Sequence, residues 1–267
     1  MEFLNRSNAP FSSGVWSVID ETMGEFLAKR LNMRSVIDFK SQYSYETDAI
    51  ATKKLKQISN KKGLSIATRE PICMLEIKKS FVLSCAVIED IKRGIDEFDD
   101  KDLALAANEF AAIENGMILQ GLKEANIEGI INHKEVQSLD VKSTKDILSA
   151  VAKSLGMFNK EFVEGDFKLV LSSATLAKLY TEFFDGISVK TKLDDMLGAN
   201  HIVINEDIGN NHALIISQRG GDFEFCSGLD VCIGFEKELK EGVELFLMQT
   251  CALRIVGPEA AIVLNLK

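Results

Sequence analysis

Proline is nearly absent from this chain, with only Pro10, Pro71 and Pro258 among 267 residues. No Gly/Ser-rich stretch takes its place, so nothing marks a flexible linker and one interlocked unit is expected. Apolar runs are short too; none approaches the roughly 20 residues that a helix needs to cross a bilayer. The opening Met1-Glu2-Phe3-Leu4-Asn5-Arg6 lacks the apolar stretch of a secretory signal, and a cytoplasmic location is expected. Five cysteines, Cys73, Cys85, Cys226, Cys232 and Cys251, form no C-x-x-C pair. In a reducing compartment they read as small buried hydrophobes.

Catalytic patterns are equally scarce. The three histidines, His133, His201 and His212, show no metal-ligand spacing. There is no G-x-S-x-G elbow, no phosphate loop and no dinucleotide fingerprint. Gly220-Gly221 fits a tight turn better than a ligand cradle. The pairs Asp99/Asp100 and Asp194/Asp195 stand where helices are expected to start, and the helix dipole accounts for them there. Cys226 and Cys232 share a strand face, but Gly228 is expected to break that strand and no further ligand lies near. No catalytic residue, metal site or cofactor is expected. A net charge of −9 argues against nucleic acid as a general partner, since that binding rests on neutralising phosphates.

What is present is a large apolar fraction in a chain long enough for two sub-domains, 46% of the residues. Behind Ser12 or Ser13 as N-cap, Trp16, Ile19, Met23, Phe26, Leu27 and Leu31 recur at three- and four-residue steps, predicting a helix to about Met33. Gly14 and Gly24 weaken it by about 1 kcal/mol each relative to alanine, so it needs a docking surface. Residues 49–58 and 64–68 predict two strands joined at Asn60-Lys61-Lys62-Gly63. Between Thr52 and Glu70 this ribbon carries Lys53, Lys54, Lys56, Lys61, Lys62 and Arg69. A polar ribbon alone is marginal in water, so it is either a floppy loop or lies along another subunit. Residues 77–91 read as a strand. A long helix is expected from Asp99/Asp100 to about Asn126, with Leu103, Ala106, Phe110, Ile113 and Met117 as its apolar seam. Residues 127–217 then alternate, with helices near 144–155, 174–184 and 189–197 between strands 167–171, 201–205 and 213–217, an α/β pattern. The remainder is strand-rich: 223–226, 230–235, 243–256 and, after Gly257-Pro258, 260–266. The class is α+β.

The opening block Met1 to Pro10 with Trp16 and Ile19-Asp20 resembles the start of encapsulin shell proteins. The likeness continues at Arg34, Val36 and Asp38, at Ile91-Lys92-Arg93-Gly94 and at Ser217-Gln218-Arg219-Gly220-Gly221-Asp222-Phe223. It resumes at Ile233-Gly234-Phe235-Glu236 and closes with Pro258-Glu259-Ala260. The resemblance spans essentially the whole chain. It implies the fold of tailed-bacteriophage major capsid proteins, partitioned into an arm and inner-wall helix (1–46), an extended loop (47–70), a peripheral domain with a spine helix (71–131), an axial domain (132–218) and carboxy-terminal strands returning to the peripheral domain (219–267). On that reading the basic ribbon lies over a neighbouring subunit.

The resemblance further implies an icosahedral homo-oligomer, a cytoplasmic nanocompartment that is not an enzyme. Its cargo is a ferritin-like iron-oxidising protein or a dye-decolourising peroxidase, linked to iron storage or oxidative stress and held by a carboxy-terminal targeting peptide. The positions matching the family's cargo groove are Phe26, Leu27, Arg30, Leu31, Arg34, Asp38, Leu229, Val231 and Ile233. The bland alternative makes Phe26, Leu27 and Leu31 a core-facing stripe. Asp185-Gly186-Ile187-Ser188 matches the segment ringing the five-fold opening, where Asp185 gives either a cation-selective ring or a solvated turn. Some family members associate with flavin through an aromatic ring in the strand matching 81–87. Ser84-Cys85-Ala86 offers none, so flavin does not carry over. The rivals are a phage or prophage capsid protein, whose amino-terminal scaffolding segment is not seen, and less plausibly a hydrolase, for which no nucleophile–base pair is legible.

Overall fold

The computed structural model describes residues 2–61 and 63–267, so Met1 of the arm and Lys62 of the basic ribbon lie outside the described residues. In chain order the elements are α1 (Ser13–Arg30), β1 (Asp38–Lys40), β2 (Ala49–Lys61), β3 (Leu64–Cys73), β4 (Leu75–Ser84), α2 (Cys85–Lys92) and α3 (Lys101–Gln120). Next come β5 (Gly121–Leu122), β6 (Ile127–Glu128), β7 (Gln137–Val141), α4 (Asp146–Lys160), β8 (Phe167–Leu171), α5 (Ser173–Thr181), β9 (Phe183–Phe184), β10 (Ile187–Ser188) and α6 (Val189–Leu197). The chain closes with β11 (Ile202–Ile204), β12 (His212–Ser217), β13 (Phe223–Leu239), β14 (Gly242–Ile255) and β15 (Ala261–Leu266). It divides into two compact units, residues 1–31, 41–114 and 226–252, and residues 32–40, 115–225 and 253–267.

In the first unit β14 pairs antiparallel with β4, from Gly242 opposite Ser84 to Cys251 opposite Leu75. Helix α1 buries Val15, Trp16, Ile19, Met23 and Leu27. These pack with Phe81, Leu83, Leu103, Phe110, Ile233 and Leu245 in one core. Ten residues on from Leu103, at 3.6 residues per turn, Ile113 is rotated about 80° from Leu103, at the margin of the seam. It stands 46% exposed, which corrects the expected stripe. Residues 85–91, expected as strand, are helix α2: the Ser84 hydroxyl accepts the Val87 N–H and stops β4. Gly228 does not break β13. It lies within a continuous 17-residue strand, and an added Cβ would come within 2.7 Å of the Ser44 carbonyl oxygen. The ribbon is β2 and β3, paired antiparallel from Ala49 opposite Cys73 to Lys61 opposite Leu64.

In the second unit a mixed sheet runs β11-β8-β12-β15-β7. The two outer pairs are parallel and the two inner pairs antiparallel. Strand β15 therefore lies between β12 and β7, and residues 253–267 fall in the second unit. The turn responsible is built at Asp222, whose carbonyl accepts the Val256 and Gly257 N–H groups at 2.7 and 3.2 Å. Helix α3 ends at Gln120 rather than near Asn126, because Gly121 (φ 80°) turns the chain into β5. Asp194 and Asp195 fall late in α6, not at its start, and Lys190 pairs with Asp194 one turn away at 2.5 Å.

Candidate functional surfaces of the subunit

Arg6 organises the amino-terminal arm. Its Nε donates to the Ile233 carbonyl at 2.7 Å, and its two terminal nitrogens donate to the Asp20 carboxylate at 2.8 and 2.6 Å. The guanidinium also lies 4.3 Å from the centre of the Trp16 ring. Arg6, Trp16 and Asp20 are thus one cluster. Arg6 was legible as part of the opening block, but nothing in the sequence indicated its bond to β13, 227 positions away.

Seven of the nine residues matching the cargo groove lie in the first unit. Leu27, Leu31 and Ile233 are 7, 8 and 3% exposed and belong to the first unit's core. Phe26 and Val231 rest against the same cluster but remain half-buried, leaving apolar surface open. Leu229 packs instead with Leu4, Phe246 and Met248. Arg30 is exposed at the last position of α1. Arg34 and Asp38 belong to the second unit. There Arg34 lies 4.6 Å from the Phe39 ring centre, and Asp38 accepts the Gly221 N–H at 2.5 Å.

That last bond is part of a corner made by the Arg-Gly-Gly-Asp-Phe block. Gly220 and Gly221 are both left-handed, with φ of 82° and 85°, a pair of conformations that only glycine adopts cheaply. Arg219 grips Asp222 through two bonds of 2.8 and 2.7 Å and reaches Glu259 at 2.9 Å. The hydrogen bonds to Asp222 hold the Arg219 guanidinium more firmly protonated than usual, outweighing its partial burial. Gln218 donates to the Val36 carbonyl and Ser217 to that of Glu164, both at 2.8 Å.

Asp185 and Gly186 form the two-residue turn of a hairpin between β9 and β10, with φ of 52° and 78°. Positive φ at both positions is what an Asp-Gly hairpin turn supplies. Phe183, Phe184 and Ile187 around the turn are exposed. The Lys192 Nζ lies 3.8 Å from the Asp185 carboxylate and 4.4 Å from the Phe184 ring centre, so a cation accompanies the aspartate.

Among the described residues no group of three or more His, Cys, Asp or Glu is placed to hold a metal. Cys226 and Cys251 are buried as expected, whereas Cys73 on the ribbon and Cys85 at the start of α2 are exposed. No helix among the described residues is long and apolar enough to cross a membrane. The Linocin_M18 family model, described as "Encapsulating protein for peroxidase", matches residues 1–252. The chain belongs to this encapsulin family.

Whole-length relatives agree. The chain is 29% identical to the Type 1 encapsulin shell protein of Brevibacterium linens over 268 residues, covering 100% of both. It is 24% identical to that of Mycobacterium tuberculosis, covering 99% of this chain and 100% of the relative. Among solved structures, the virus-like particle from Pyrococcus furiosus matches with a TM-score of 0.66 at 15% identity, covering 93% of this chain and 98% of that one. The capsid of Myoviridae Phage XM1 matches at 0.57 and 11% identity, covering 86% and 90%. At such identities the likeness shows the fold, the α+β fold of phage capsids and encapsulins. Encapsulins are structural shell proteins that assemble from copies of themselves, and they are not enzymes.

Proposed function

We propose that this encapsulin forms a closed icosahedral shell in the cytoplasm and encloses a cargo enzyme through a carboxy-terminal peptide of that enzyme. The observation that carries the reading is the open apolar surface of Phe26 and Val231 beside the buried Leu27, Leu31 and Ile233. A firm floor with half-exposed neighbours suits a short peptide bearing small, branched apolar side chains, each worth about 1.5–3 kcal/mol when fully buried. The cargo is a ferritin-like iron-oxidising protein or a dye-decolourising peroxidase, so the compartment serves iron storage or defence against oxidative stress. The ribbon β2–β3 lies over a neighbouring subunit and closes the shell. At the five-fold opening, the pairing of Lys192 with Asp185 makes the rim less acidic than the aspartate alone would.

A phage capsid shares the fold, but the sequence match along the whole chain is to shell proteins. Val231→Asp tests the dock. Val231 lies outside the core, so intact but empty shells are expected when particles from the native host are analysed by mass spectrometry. Fully loaded Val231→Asp shells overturn the dock, and packaged DNA in wild-type particles favours the phage reading. Ile233→Asp is unsuitable, since that side chain is 3% exposed and a charge there disrupts the core.

A further inference from the structure

Phe162 breaks two local rules at once. It is 86% exposed, the most exposed large apolar side chain among the described residues. It also takes a left-handed backbone, φ 56°, where glycine or asparagine is the usual occupant. The conformation is imposed by the end of α4: the Phe162 N–H donates to the Asn159 carbonyl at 3.3 Å and the Val163 N–H to the Phe158 carbonyl at 2.9 Å. Val163 is then 3% exposed, which leaves Phe162 pointing to solvent. Within the subunit the backbone of Phe162 is held, its carbonyl accepting from Arg219 at 3.5 Å, while the ring itself is left exposed. Strain and exposed aromatic surface held together on an ordered loop mark a binding anchor.

The surroundings indicate the occupant. Glu161, Glu164 and Asp166 flank Phe162 in sequence, all exposed, with Lys160 the one cation in residues 160–166. A complementary face is apolar with a basic rim, and this chain carries one. Leu64 and Ile66 alternate along β3 and share a face with Lys56, which pairs opposite Thr68. Leu64, Ile66, Lys54 and Lys56 are all exposed. We propose that Phe162 anchors a contact between copies, its ring seated against the Leu64–Ile66 face of the ribbon of a second copy, with acidic rim against lysines. This rests on the reading of the ribbon as an inter-subunit element and names the surface it meets.

The test uses full-length chain assembled from dissociated subunits, with particles followed by light scattering. Phe162→Gly relieves the strain and removes the ring. The expected result is a subunit that unfolds at higher denaturant, yet needs at least a tenfold higher concentration to assemble. Phe162→Asn, which tolerates the same backbone, serves if the glycine variant fails to fold. Glu161→Lys with Glu164→Lys is expected to block assembly, and adding Lys54→Glu and Lys56→Glu to restore it. Assembly of the Phe162 variants at the wild-type concentration, or no rescue by the charge exchange, overturns the proposal. Intact Phe162→Gly shells that lose only their contents also overturn it and assign the ring to cargo. Deleting residues 53–63 separates the two layers: if that variant still closes shells, the ribbon reading itself fails. If it does not while Phe162→Gly assembles normally, only this inference fails.

Discussion

Asp222→Asn isolates what charge contributes to the corner at residues 217–223. The substitution keeps the side chain's shape and leaves the backbone carbonyl free to accept the Val256 and Gly257 N–H groups. It removes the negative charge facing Arg219 and replaces one of two acceptor oxygens with a donor. The Arg219 and Asp222 side chains are 29% and 10% exposed, so their attraction is only partly screened. A hydrogen bond to a charged group contributes about 1.5–3 kcal/mol. Arg219 retains Glu259 at 2.9 Å, so the net loss is at the level of one such bond, about 1.5–3 kcal/mol. At 1.36 kcal/mol per factor of ten, that is about 13- to 160-fold more frequent opening of the corner. Hydrogen exchange of residues 256–260, followed by mass spectrometry on assembled shells, reads this opening directly. A change below about threefold would refute the reasoning, leaving the glycine conformations and backbone bonds sufficient to hold the turn.

Burial pushes the Cys232 thiol up to about 11, against 9.0 for a free thiol, so alkylation at pH 8 is expected to spare it and to accelerate as pH approaches 11. The folded state holds this proton longer than the unfolded one, so the associated stability is intact below pH 9 and is lost as pH rises through 11. Cys232→Ser is expected to flatten the alkaline fall in urea midpoint, and an unchanged slope counts against it. Gly129→Ala would place a Cβ 2.1 Å from the Gly121 nitrogen and 2.3 Å from the Gln120 carbonyl carbon. Because both neighbours are backbone, a loss of roughly 3 kcal/mol or more is expected. Wild-type yields of soluble particles would contradict that close approach.

Much of the local structure was legible because its causes are local. The strand 167–171 and the helix 189–197 match in both bounds, each being set by apolar spacing and, for the helix, by the Ser188 cap. The α1 stripe and the two-stranded ribbon were visible for the same reason. Membership of the encapsulin family was also carried by short blocks, and the structure gives two of them a physical cause in the Arg6–Asp20 and Arg219–Asp222 pairs. Residues 77–91 misread as one strand because the apolar run continues across the Ser84 cap. At the positions matching the family's cargo groove, residue types showed which are apolar but not that Ile233 is sealed while Val231 stays open.

Tertiary structure alone decided the rest. The place of Ala261–Leu266 between β12 and β7 depends on partners up to 125 positions earlier, which no window of sequence contains. The exposure of Phe162 is of the same kind. Its residue type suggests burial, and only the closing of the α4 end over Val163 turns the ring outward. Periodicity and capping act over a few residues and can be read directly from the sequence. Burial and strand order are properties of the packed chain.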